Sequence, residues 1–233
     1  MALDLALPLT AAASGAAWAQ VAAWRAGHGR ATFTVRALLG GVAAFALAVS
    51  AYDLSTLAGV DVRWEGVARA DLRAALLAAA IGMVEEGAKL VGLLLVVDRT
   101  LRGRAVAAAA IGVAAGFSAL EALAVLKGHA SAPMLARAAL GPVAHAVLTL
   151  PLTVKVTAAL RRTSRAWWLP LLPALLVSAT LHAAGDLSLA LPRVGRVGYA
   201  AALAAPPVVL FVLGRVRRAL QGRGDGPGRP AAA

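Results

Sequence analysis

Ionisable side chains recur inside apolar runs long enough to cross a bilayer, and that pairing most narrows the folds open to this chain. Glu85, Glu86 and Lys89 lie in the middle of the run from Ala74 to Val97. Three later runs carry Glu121, then His145, then His182 with Asp186. A charge near the bilayer centre costs about 2.5–3.5 kcal/mol on insertion scales, so such residues persist where they face a protein interior. Four runs bearing them imply one shared polar site inside a membrane bundle.

Composition agrees. Hydrophobic residues make up 61% of the 233, which places the chain in the integral membrane class. At about 20 residues per span there is room for roughly six to eight helices and for no separate soluble domain. The absence of cysteine excludes disulfides and thiolate metal sites. The net charge of +12 raises nucleic acid as a partner. The arginines, however, cluster at the ends of apolar runs without an aromatic-basic patch, so nucleic acid is set aside and the positive-inside effect explains them.

Seven runs can be drawn, over residues 5–24, 34–52, 74–97, 105–126, 134–159, 166–189 and 197–214. Basic residues collect in alternate connections: Arg25, Arg30 and Arg36, then Arg99, Arg102 and Arg104, then Arg161, Arg162 and Arg165, then the tail from Arg215. The expectation is an all-α bundle of about seven spans, N-terminus outside and C-terminus cytoplasmic, in a bacterial-type plasma membrane. Residues 1–214 form one membrane domain, and 215–233 form a basic, disordered tail drawn to anionic lipid. Ala17-Trp18-Ala19 resembles a signal-cleavage site, but no basic segment precedes it, so the first run is read as a retained span. Trp18, Trp24, Trp167, Trp168 and Tyr199 sit near run ends as interfacial anchors do, and Trp64 marks a short surface helix within 53–73. Gly112-x-x-x-Gly116 has the spacing that lets membrane helices approach closely.

Each polar residue has a plain structural alternative. Lys89 is three residues from Glu86 and four from Glu85, so it can pair with either on one helical face. A self-neutralised pair would lock the bundle and nothing more, but one lysine cannot compensate two carboxylates. The second carboxylate is then a protonated group, a base or a ligand. Glu121 shares a face with Phe117 four residues earlier. His145 follows Gly141-Pro142, which predicts a kink and space for a cavity. His182 and Asp186 are four apart, as suits an imidazole oriented by a carboxylate or two ligands on one face. His28 and His129 fall in loops and receive no role. By helical rise, Glu85 and His145 lie about 16 Å below the outer ends of their runs, and Glu121 and His182 about 8–10 Å, so the four can converge in the outer half.

In this order, Glu85-Glu86-x-x-Lys89, Phe117-x-x-x-Glu121, His145 and His182-x-x-x-Asp186 resemble the motifs of the PrsW intramembrane proteases, within the superfamily of CAAX-prenyl and bacteriocin-processing proteases. The resemblance covers about residues 74–190. It implies a polytopic protease that cuts a membrane protein in or beside the bilayer, the best-known role being cleavage of a membrane-spanning anti-sigma factor in stress signalling. It implies a water-activating glutamate at Glu85 or Glu86 and an oxyanion-stabilising pair at His182 and Asp186. Members are often called metalloproteases, which implies Zn²⁺ held by Glu121, His145 and His182. A metal-free glutamate mechanism stands equally open, because His-Glu-x-x-His is absent.

In the mechanism this suggests, glutamate takes a proton from water while Lys89 or an imidazolium offsets its charge. Ser118 and Ser131 lack an evident base and are set aside as nucleophiles. The rival from another class is a proton- or ion-coupled transporter, since Glu and His chains also relay protons. It calls for polar groups from face to face and for related halves, neither of which the sequence shows.

Overall fold

A computed structural model describes residues 6–60, 71–101, 103–125, 132–162 and 166–190, together with 62, 67, 200, 201 and 204. The described residues form seven helices and no strand: α1 (Ala6–Arg25), α2 (Ala31–Leu57), α3 (Leu72–Val96), α4 (Gly103–Val125), α5 (Ala132–Leu148), α6 (Leu150–Ala159) and α7 (Leu171–Ala190). The first four and α7 follow five of the apolar runs closely. The run at 197–214, the surface helix around Trp64 and the basic tail lie outside the described residues, apart from isolated positions.

The fifth run departs from expectation. It is two helices, α5 and α6, bent by 46° at a one-residue break. Pro142 is accommodated inside α5, and the break falls instead at Thr149, two residues before Pro151. A proline ring removes one backbone donor and clashes with the carbonyl four residues earlier, here that of Val147, so the helix restarts with Pro151 in its first turn.

Local chemistry ends the other helices. Gly27 (φ 75°) and Gly59 (φ 81°) follow α1 and α2 in the left-handed region. There His28 N–H donates to Ala23 O and Val60 N–H to Ser55 O, closing each helix with a six-to-one bond. Asp71 caps α3 by accepting from Ala74 N–H at 2.7 Å. In the connection from α3 to α4, the Thr100 hydroxyl and N–H donate to Asp98 and hold its carboxyl below the ordinary carboxylate range.

α4 is the centre of the bundle, packed on α1, α2, α3, α5 and α6, while α7 lies along α3. Large aliphatic side chains such as Leu39, Leu76, Leu95 and Leu176 point outward, whereas alanine and glycine fill the helix contacts. This is the membrane pattern, in which small residues rather than hydrophobic exclusion bring helices together. Gly112 and Gly116 both face α2: a Cβ at Gly112 would strike Ala37, and one at Gly116 the Leu38 carbonyl. On α3, a Cβ at Gly82 would stand 2.5 Å from the Ala179 carbonyl of α7.

Among the described residues, three helices, α2, α4 and α7, are long and apolar enough to cross a membrane, and the bent pair α5–α6 adds a fourth span if counted as one. α3 carries Glu85, Glu86 and Lys89 at its middle, all turned inward.

The approach at Gly82 is testable. Gly82→Ala should lower stability in detergent by about 1–3 kcal/mol through overpacking against backbone. Gly87→Ala, on the same helix with nothing within 4 Å of the added Cβ, should leave the melting temperature unchanged or raise it.

Candidate active site

The centre of the site is a lysine with no exposure to solvent. Lys89 Nζ lies 2.8 Å from Glu86 Oε1, 3.5 Å from Glu85 Oε2 and 2.8 Å from His145 Nδ1, and 4.5 Å from the Phe117 ring centroid. An ammonium has three donors and no acceptor, so Nδ1 of His145 accepts and its proton sits on Nε2. That nitrogen donates to Glu121 Oε2 at 2.7 Å. Glu121 also faces Arg137, 4.0 Å away and half-exposed.

The two adjacent glutamates differ sharply. Glu86 is 0% exposed, and both its oxygens are taken. Oε1 accepts from Lys89 Nζ and from His182 Nδ1, each at 2.8 Å, and Oε2 accepts from Thr149 Oγ1 at 2.8 Å. Charge-assisted bonds of this kind are short and strong, and a saturated carboxylate holds its neighbours in place. Glu85 is held loosely: Tyr52 Oη donates to Oε1 at 3.2 Å, and Oε2 stands 3.5 Å from Lys89 and 3.4 Å from His182 Nε2. Its side chain retains 11% exposure, on the side where Asp186 and Glu121 are more open.

The motif residues Glu85, Glu86, Lys89, Phe117, Glu121, His145, His182 and Asp186 are therefore in or beside one cluster built from α3, α4, α5 and α7. The partners differ from those the spacings suggested. Asp186 Oδ2 is 3.7 Å from His182 Nε2, an ion-pair distance beyond a hydrogen bond, and the carboxylate that orients His182 is Glu86. Phe117 packs against the His145 ring, with centroids 5.5 Å apart, and His145 and His182 also stand 5.5 Å apart. Two members escaped the sequence reading. Tyr52 comes from α2, outside the motif-bearing runs, and Thr149 from the helix break. Thr149 is four residues after His145 and just before Pro151, a spacing that could have drawn attention to it; no local signal marks Tyr52.

The donor set suits a metal. Glu85, His145 and His182 each offer a ligand atom, all within 4.8 Å of one another and all buried. Two imidazoles and a carboxylate are a Zn²⁺ type of ligand set, and each imidazole has a carboxylate on another nitrogen, as the outer partners of metal-bound histidines do. Glu121 is outside that trio and serves His145 from behind. Four carboxylates (Glu85, Glu86, Glu121, Asp186) stand in this cluster with one buried ammonium, Lys89, and Arg137 beside Glu121. A divalent cation would offset two of those charges; Lys89 would have to release His145 Nδ1 to make room.

Carboxylates and imidazoles sunk between membrane-type helices, with one carboxylate left loosely bonded, are the equipment of a hydrolase that works within the bilayer. A family model described as PrsW family intramembrane metalloprotease matches residues 28–213, most of the chain, and the chain belongs to that family. It is thus a membrane-embedded peptidase with membrane proteins as its substrates. Comparison with curated proteins and with solved structures returned no match.

Two substitutions separate the roles at this site. Thr149→Val leaves Glu86 Oε2 unpartnered in a dry interior and should cost about 1–3 kcal/mol of stability, read as a lower melting temperature. Tyr52→Phe removes one bond to a partly open carboxylate. It should leave the melting temperature within a degree or two of wild type while lowering kcat/KM about tenfold.

Proposed function

We propose that the protein hydrolyses a peptide bond in, or close to, the membrane-embedded part of a membrane protein, with Glu85 as the base that activates water. The observation that carries this reading is the contrast between the two glutamates. Glu86 has no oxygen left for water, whereas Glu85 is weakly bonded and stands on the more open side of the cluster.

In the reaction, water bound at Glu85 attacks the scissile carbonyl carbon and its proton passes to the carboxylate. The electron pair of the carbonyl moves to oxygen. His182 already donates Nδ1–H to Glu86, so its bond to the oxyanion comes from Nε2, with Asp186 offsetting the imidazolium charge. When the C–N bond breaks, Glu85 returns the proton to the leaving amine. Lys89 keeps a positive charge beside both glutamates throughout, and Glu121 fixes the tautomer of His145.

A metal held by Glu85, His145 and His182 would lower the pKa of a bound water.

The wider setting belongs to the same proposal. Basic connections put the N-terminus outside and the C-terminus in the cytoplasm of a bacterial-type plasma membrane, with about seven spans. This orientation places the site in the outer half of the bilayer. A single-span regulatory protein such as an anti-sigma factor, cut on its outer side, fits that depth.

The test is cleavage of a single-span substrate in cells at matched enzyme levels. Glu85→Gln should lower the cleavage rate about 10²–10⁴-fold without loss of folded protein. Cleavage by Glu85→Gln at the wild-type rate would end the assignment of the base. For the purified enzyme, chelation should abolish activity and Zn²⁺ should restore it with about one metal bound per chain. Full activity in a metal-depleted sample would exclude the metal form and leave the glutamate mechanism.

A further inference from the structure

Away from the active site, residues of α1 and α4 line a cavity of about 530 Å³ that carries two arginines. Arg25 comes from the last turn of α1 and Arg104 from the first turn of α4. The two helices run antiparallel, with Gly15 against Ala115, so both arginines reach the same end of the bundle. No acidic residue lines the cavity, and neither arginine has a hydrogen-bond or ion-pair partner among the described residues. Arg104 also stands at the positive end of the α4 dipole, and the first turn of α4 holds no acidic side chain to compensate it.

The cavity continues away from the arginines. Trp18 and Ile111 line it and also line a second, apolar cavity of about 190 Å³, whose other walls include Pro142 and Ala146 of α5. Arg104 and Ile111 are seven residues apart, so the groove descends about 10 Å from the charged end before it turns against α5. A positive mouth opening into a narrow apolar channel along the outside of a membrane bundle has the charge and shape of one kind of occupant.

We propose that this groove binds an anionic phospholipid, its phosphate paired with Arg25 and Arg104 and one acyl chain laid past Trp18 and Ile111 against α5. Guanidinium groups bind phosphate oxygens in bidentate fashion, and basic pockets between membrane helices select anionic headgroups in this way. The channel wall includes the helix that presents His145, so an acyl chain there supports α5 from the side away from the active site.

Native mass spectrometry of the purified protein, released from detergent with equal amounts of phosphatidylglycerol and phosphatidylcholine, tests this directly. Two arginine contacts should favour retention of one phosphatidylglycerol by about thirtyfold over phosphatidylcholine. The pair Arg25→Gln and Arg104→Gln should bring the ratio near one. Arg161→Gln with Arg162→Gln, an equal loss of charge at exposed positions outside the groove, should leave it unchanged. Ile111→Trp, which narrows the channel, should reduce retention of both lipids, and excess inorganic phosphate should displace neither. The proposal is overturned if the Arg25/Arg104 variant keeps the preference or if the Arg161/Arg162 variant loses it equally. It is overturned as well if phosphate alone empties the site, since a free anion would then be the ligand.

Discussion

A buried ammonium held between carboxylates is the constraint on which the rest of this structure depends. Lys89 and Glu86 have no solvent exposure, and a charge in hydrocarbon without a partner is among the most costly features a protein can contain. Lys89 therefore needs Glu86 and His145, and Glu86 needs His182 and Thr149. His145 comes from α5, Thr149 from the break after it and His182 from α7, so side chains of α3 tie all three segments together. The glycine and alanine contacts of the bundle allow that approach: Gly82 lets α7 close on α3, and Gly112 and Gly116 seat α4 on α2. Polar satisfaction and small-residue packing thus serve one end.

The same network explains why two neighbouring glutamates behave differently. Glu86 is turned toward α7 and the break between α5 and α6, where each oxygen finds a donor. Glu85, one residue and 100° earlier on the helix, is turned toward α2 and the open side of α7. There it meets a tyrosine and the edge of an imidazole at longer distances. Glu85 is thus the carboxylate left accessible to water, and Glu86, the residue after it, is the one held rigidly in place.

Much of this was legible in the amino-acid order. Five of the seven apolar runs match α1 to α4 and α7 to within about five residues, because in lipid the backbone must satisfy itself within each segment. The carboxylates and imidazoles within the runs are the ones that meet in the buried cluster, as expected where a bilayer admits so few. What spacing could not supply was the identity of partners across helices. A gap of four suggested that Asp186 orients His182, yet the nearer carboxylate is Glu86, 96 residues away. Tyr52 reaches Glu85 from a run that holds no carboxylate or imidazole. The bend in the fifth run follows Pro151 rather than Pro142, since a proline can be absorbed where neighbouring helices re-satisfy the freed carbonyl.

Interdependence within the cluster is the central claim, and a double-mutant cycle measures it. Unfolding of Glu86→Gln, Lys89→Met and the double variant, followed in one detergent, gives the coupling between the two groups. Each single change should cost about 3–5 kcal/mol, because it strands the remaining charge in a dry interior. The double variant, with no charge left to strand, should fall short of the sum by about 1–3 kcal/mol. Strict additivity, with a difference under about 0.5 kcal/mol, would mean that Lys89 and Glu86 do not share a buried site.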